Sequence, residues 1–159
     1  MTSIRQLQTK IEELETELQS FKQQLNTYKV PTLAEASVGD TLKDGSIVLQ
    51  KSNGLALLVA PKSTEVSASW SKEFSDVFAK LKEQGFNLSQ WFVPTEEQLL
   101  LAYQLIPQEF SSSFSSACYW SSTEDSATDA CFVGFCFGNT GSNSKACQDC
   151  VRAFRCVTY

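Results

Sequence analysis

Apolar residues recur at alternating spacings of three and four from the start of the chain: Ile4, Leu7, Ile11, Leu14, Leu18, Phe21, Leu25 and Tyr28. On a helix this repeat makes a narrow seam, with Gln, Glu, Lys, Ser and Thr over the remaining surface. A seam two positions in seven wide is covered by the same seam of another chain, whereas a helix packed on its own domain needs a wider apolar face. Residues 1–29 are therefore predicted to be a coiled-coil oligomerisation stalk. With Ile4 at position a, Lys10 and Glu17 at g meet Glu15 and Lys22 at e of a parallel, in-register neighbour, and both contacts are attractive. Ile at a with Leu at d in the first heptads favours two strands; Leu18 and Leu25 at a with Phe21 and Tyr28 at d weaken that preference.

The pattern changes after Lys29. Pro31 stops the helix, residues 30–37 read as a short hinge, and a head is expected over residues 38–159. Ser46–Gln50 and Leu55–Ala60 are β-rich runs around Ser52-Asn53-Gly54, which predicts a hairpin closed by residues of positive φ. Trp70, Phe74, Val77, Phe78 and Leu81 recur at helical spacing with Gly85 as C-cap. Thr95 and Gln98 form a capping box that opens a second helix running to Leu105, closed by Pro107. From Ser111 onward the chain is rich in Ser, Cys, Gly, Asn and aromatics, with strands expected near 117–121, 130–137 and 151–157. Alternation along the middle one places Cys131, Val133, Phe135 and Phe137 on one covered face. Arg152 and Arg155, an odd number apart, are expected on opposite faces of a strand, one buried against a carboxylate.

Composition narrows the chemistry. The chain has 159 residues, with 13 Lys and Arg against 18 Asp and Glu. The basic residues are scattered, which gives a phosphate backbone little to hold, so no nucleic-acid partner is expected. No stretch reaches the roughly 18–20 apolar residues of a membrane span. Met1 leads directly into heptads without a basic n-region and apolar h-region, so synthesis in the cytoplasm without a signal peptide is expected. There is no histidine, which removes the usual general base, triad partner and zinc ligand. A two-carboxylate glycosidase remains the enzymatic alternative, with Glu96, Glu97, Glu124, Asp125, Asp129 and Asp149 as its acids. Glu96 and Glu97 are also explained by the macrodipole of a first helical turn. The six cysteines, Cys118, Cys131, Cys136, Cys147, Cys150 and Cys156, cluster toward the end of the chain. They fit buried thiols first, disulfides second and metal third, because one Cys-x-x-Cys alone is a weak zinc signal.

Gly138-Asn139-Thr140-Gly141-Ser142-Asn143-Ser144-Lys145 is expected to be a recognition loop, offering amides and hydroxyls on a glycine-bearing backbone suited to sugar hydroxyls or a polar protein surface. Its candidate binding residues are Asn139, Thr140, Asn143 and Ser144, with Glu124 and Asp125 from a second segment over 121–129. An ordinary polar turn is the competing reading.

Several motifs occur together in order: Trp91-Phe92-Val93-Pro94-Thr95-Glu96-Glu97-Gln98-Leu99, Tyr119-Trp120-Ser121-Ser122-Thr123-Glu124, Phe132-Val133-Gly134-Phe135, and Val151-Arg152-Ala153-Phe154-Arg155-Cys156-Val157. Residues 38–159 thereby resemble the Lcl C-terminal domain family of bacterial adhesins and phage proteins, related to the formylglycine-generating-enzyme form of the C-type lectin fold. The resemblance implies an α+β fold, a C-type-lectin-like head with two helices and short antiparallel strands, and places Trp120 in the core. It also implies binding rather than catalysis: a phage tail fibre or adhesin subunit of the virion whose lectin-like heads bind a host surface glycan or protein. By analogy with fibres, a homotrimer is favoured over a dimer. The competing class is a virion or tail assembly element without a receptor role, partnered by other virion proteins. No cofactor is expected; calcium is not favoured, since the Glu-Pro-Asn and Trp-Asn-Asp signatures of sugar-binding lectins are missing.

Overall fold

The computed structural model describes residues 3–27, 29–111 and 117–159, which form two compact units, residues 1–30 and 31–159. The first unit is helix α1 (Ile4–Thr27). Ser3 caps it: the Ser3 Oγ accepts from the Gln6 N–H at 3.3 Å while Gln6 Oε1 accepts from the Ser3 N–H at 2.8 Å. This reciprocal pair satisfies two donors that a helix start would leave open. Every seam residue from Ile4 to Leu25 is more than half exposed in the single chain; Tyr28, the last of the seam, lies outside the described residues. Lys10 reaches Glu13 of its own helix at 3.0 Å.

The second unit is mixed α+β. Among the described residues its strands are β1 (Ile47–Ser52), β2 (Leu55–Val59), β3 (Val66–Ala68), β4 (Trp91–Phe92), β5 (Cys118–Glu124), β6 (Asp129–Gly134), β7 (Asn139–Ser144), β8 (Asp149–Val151) and β9 (Phe154–Thr158). They form a four-stranded sheet ordered β1-β2-β9-β4 and a five-stranded sheet ordered β3-β8-β5-β6-β7. All pairings are antiparallel except β5 with β8, where Tyr119 faces Cys150 in parallel. The expected hairpin is present. Asn53 and Gly54 both take positive φ (51° and 76°), the two-residue turn whose twist matches its strands. Residues 31–37, expected as a hinge, pack on this unit: Ala36 is buried, and the Lys51 ammonium is held by the carbonyls of Leu33, Ala34 and Ala36.

The helices α2 (Ser75–Glu83) and α3 (Glu96–Leu105) match the two expected. In α3 both halves of the Thr95–Gln98 capping box form, worth about 1 kcal/mol. Helix α2 starts later than its aromatic spacing suggests. Trp70 precedes it, and Phe74 sits at φ 42°, ψ 45°, a left-handed conformation that costs a non-glycine residue roughly 1–2 kcal/mol. Its N–H bonds Ser71 Oγ at 3.0 Å and its ring meets Trp70 edge-on at 5.6 Å. These contacts outweigh the strain.

The five-stranded sheet is covered on both faces. One cluster gathers Leu99, Ile106, Phe110, Tyr119, Val133 and Phe135; the other gathers Trp70, Phe74, Trp91, Trp120, Ala130 and Val151. Two indoles lace β5 to the β3 edge in both directions. Trp120 Nε1 donates to the Ala68 carbonyl at 3.0 Å, and Trp70 Nε1 donates to the Ser121 carbonyl at 2.8 Å. Trp120 is fully buried, as the motif implied.

The arginine expectation needs correction. Arg152 and Arg155 do not share a strand, because the chain leaves one sheet after Val151 and joins the other at Phe154. Arg152 is the buried one, at 1% exposure. Its partners are main-chain carbonyls, Ala60 at 2.8 Å and Glu109, with its guanidinium 4.9 Å from the Phe110 ring centroid. The arginine that meets a carboxylate is Arg155, paired with Asp44 over the face of Trp91. Carbonyls suit the deeper site because they bind the cation without requiring a second buried charge.

Candidate recognition surface

The segment singled out for recognition is not a loop. Residues 139–144 form β7, an edge strand paired with β6 in unbroken register from Gly134–Asn139 to Asp129–Ser144. The error came from reading a polar, glycine-bearing run as a turn; the neighbouring strand supplies the ladder that its composition does not advertise. Along the strand, Asn139, Gly141 and Asn143 share one side and Thr140, Ser142 and Ser144 the other. The edge carries no proline, charge or bulge, the usual devices that blunt a free edge.

The turn that enters β7 displays an aromatic. Phe135 is buried, stacked on Phe110 at 4.2 Å and edge-on to Tyr103 and Tyr119. Two residues later Phe137 is 73% exposed, against the covered position expected for it. The strand ends at Gly134, and the Gly138 N–H closes the turn on the Gly134 carbonyl at 2.8 Å. Gly138 has φ 70°, and a Cβ there would stand 2.2 Å from Tyr103, so only glycine fits. Phe137 is the functional candidate that alternation missed. The signal available was Gly138 immediately after it, since a glycine within a strand pattern punctuates the alternation.

The candidate residues separate into two groups. Asn139 and Thr140 are exposed beside Phe137. Asn143 and Ser144 lie four to five strand steps away, about 13–17 Å, next to the 121–129 segment. There Asn143 donates to Asp149 at 3.0 Å. Glu124 binds the ammoniums of Lys145 and Lys72 at 3.0 and 3.1 Å. Lys145 also meets the carbonyls of Ser126 and Ala127 and lies 4.8 Å from the Trp70 ring centroid. This constellation fastens the β5–β6 connection to the end of β7 and leaves Glu124 committed to structure. Asp125 is exposed beside it.

Glu124, Asp129 and Glu97 are shifted toward the charged form. Lys145 and then Lys72 hold Glu124 below the usual range; the Thr128 and Ser126 hydroxyls do so for Asp129, and the main-chain N–H and Thr95 for Glu97. A glycosidase acid needs the opposite shift, so these three are unsuited to proton donation at neutral pH. The six cysteines are thiols without disulfides, Cys150 buried and Cys147 and Cys156 exposed. Among the described residues no group of three or more Cys, Asp or Glu side chains is arranged to hold a metal, and no helix is long and apolar enough to cross a membrane. At the other end of β7, the exposed Phe137 ring stands beside the exposed Asn139 amide and Thr140 hydroxyl.

No protein-family model matches the chain, and no curated protein matches it.

Proposed function

We propose that the chain is a phage-fibre or adhesin-type subunit: α1 associates as a parallel coiled coil, three strands favoured over two, and displays lectin-like heads of the Lcl C-terminal type that bind a host surface from the virion. The observation that carries the reading is the seam. Seven apolar side chains from Ile4 to Leu25, each between 52% and 76% exposed, lie on a helix that forms a unit of its own. Such a helix gains its stability by association. The head contributes a recognition surface at the β6–β7 hairpin, where Phe137 on the turn anchored by Phe135 and Asn139 and Thr140 at the start of β7 stand exposed. Copies held together convert weak single contacts into strong attachment through effective concentration.

The test has two arms. Light scattering compares the full chain with residues 31–159; an oligomer and a monomer, respectively, are expected, and a monomeric full chain removes the stalk. Particles carrying Phe137→Ala, Asn139→Ala and Thr140→Ala together should then adsorb less to host cells with unchanged assembly and melting temperature. Normal adsorption by that variant, with assembly lost when the whole head is deleted, makes the chain an assembly element instead.

A further inference from the structure

The β5–β6 hairpin brings two cysteines to one corner of the head. Cys118 opens β5 opposite Gly134, the last residue of β6. The ladder continues one step further, where the Phe135 N–H donates to the Ala117 carbonyl at 2.7 Å. Cross-strand partners share a face, and so do residues two apart on a strand. Cys136 therefore follows Gly134 on the side of Cys118, as its diagonal neighbour. Diagonal positions of a straight ladder stand about 7–8 Å apart, but here the chain curls, with the Gly138 N–H bonded back to the Gly134 carbonyl at 2.8 Å. The curl shortens the diagonal toward the roughly 4.4–6.8 Å between Cα atoms that a disulfide spans. Burial pushes the Cys118 thiol up, and Asp149 and the neighbouring Cys136 sulfur push it further. The other four cysteines are placed elsewhere. Cys150 lies with Tyr119 in the core on the opposite face of β5, and Cys131 meets Glu96 of α3. Cys147 and Cys156 are exposed, the latter in the other sheet.

We propose that Cys118 and Cys136 are a disulfide-forming pair that a small-molecule disulfide closes, stapling the turn that carries Phe137 to β5. One protein thiol loses its proton to water, and its thiolate attacks a sulfur of the small disulfide; a protein–small-molecule S–S bond forms, the original S–S bond breaks, and one small thiolate leaves. The second protein thiol, deprotonated in turn, attacks the protein sulfur of that mixed disulfide and expels the other small thiolate. Two protons and two electrons leave the protein, and the small disulfide is reduced to two thiols. Both cysteines are half-buried, open enough for the exchange yet not on display. A reducing compartment keeps the pair open and an oxidising one closes it. The cross-link encloses the hairpin in a loop of roughly 20 residues and ties down the residue directly before Phe137, between the anchors at Phe135 and Gly138.

The pairing rests on the geometry of the head alone, and only its value for recognition rests on the proposed function, so the two fail separately. The reduced full chain is incubated at about pH 8 with oxidised and reduced glutathione, alkylated, and cleaved with chymotrypsin, whose sites at Phe132 and Phe135 separate Cys131 from Cys136. Mass mapping should show Cys118 joined to Cys136 as the main cross-link. The oxidised chain should melt roughly 10 °C above the reduced one, and amide exchange over residues 135–140 should slow by about tenfold or more. Cys118→Ser and Cys136→Ser should each abolish all three effects, while Cys131→Ser should leave them unchanged. No cross-link in the folded chain, a different main pairing, or a Cys118–Cys136 cross-link that alters neither melting nor exchange overturns the proposal.

Discussion

Trp120→Ala should remove about 4 kcal/mol from the stability of the head. The indole is fully buried among Trp70, Phe74, Trp91 and Val151. A tryptophan takes about 150–250 Å² out of water, which at roughly 25 cal/mol per Å² amounts to about 4–6 kcal/mol. Alanine keeps its Cβ and the cavity relaxes in part, so the cost falls in the 3–5 kcal/mol range of large aromatic deletions. About 1 kcal/mol of it belongs to the bond from Nε1 to the Ala68 carbonyl, since that acceptor then lies buried without its donor. Trp120→Phe isolates this component and should cost about 1.5–2 kcal/mol. Urea denaturation followed by fluorescence and circular dichroism reads both values. In thermal melts the alanine variant should unfold roughly 12–20 °C lower. An alanine variant within 1 kcal/mol of the parent would refute the packing argument, and unchanged stability with lost surface binding would move Trp120 into a recognition site.

Other perturbations test other layers. Asp44→Asn should reduce stability in a pH-dependent way: burial pushes the Asp44 carboxyl up, but the Ser46 N–H and hydroxyl and the Arg155 guanidinium outweigh it and leave it below its ordinary value. The difference from the parent should be full above about pH 5 and disappear as pH falls through the depressed folded value, and urea midpoints measured from about pH 2 to 7 would refute this if the gap stayed constant. Iodoacetamide at about pH 8 should label Cys147 and Cys156 rapidly and Cys150 only on unfolding, because the Cys150 thiol is buried and pushed up to about 11, leaving roughly one thiolate in a thousand; mass mapping of native and denatured samples decides it. Gly138→Ala should destabilise the head by at least 1–2 kcal/mol, because the residue needs both positive φ and the space held by Tyr103; a neutral melt would overturn the account of this turn.

The elements legible in the sequence are those whose signals are local. The helix of α1, the Thr95–Gln98 box and the Asn53-Gly54 hairpin each depend on residues a few positions apart, and each forms as the pattern predicts. Strands β3 and β4, only three and two residues long, exist because distant partners pair with them: Val66 with Val151, Trp91 with Arg155. Nothing in their own composition specifies that. The division at Arg152 and Ala153 escaped for the same reason, since β-compatible residues on both sides read as one strand although two sheets receive them. At α2 the spacing of Trp70 and Phe74 matched a helix, yet both face the core through the indole bond to Ser121 and the left-handed turn, an arrangement that tertiary packing imposes on the local pattern. For the binding surface, the residue types at 139–144 were recognised while their backbone was not, and a strand fixes which of them can act together. Asn139 and Thr140 stay with Phe137; Asn143, Ser144 and Glu124 belong to the bonded end.

In the proposed reading, the pairing of buried Phe135 with exposed Phe137 lets a recognition contact be added to this fold without destabilising it. The buried ring stacks on Phe110 and holds the turn in place; Gly138, locked beneath Tyr103, fixes the backbone that follows. The backbone that presents the ring is held on both sides and has little freedom left to lose on binding. With 73% of its surface exposed, covering Phe137 against a partner would contribute about 3 kcal/mol, a factor of roughly 150 in Kd. That is too little for a monomer to hold a cell surface. It is enough once copies act together, because each head after the first binds at the high effective concentration set by the stalk. Under the proposed function, the exposed seam of α1 and the exposed ring of Phe137 answer to one requirement: the seam would make several heads available, and the ring would give each a contact weak enough to release alone and strong enough to hold in number.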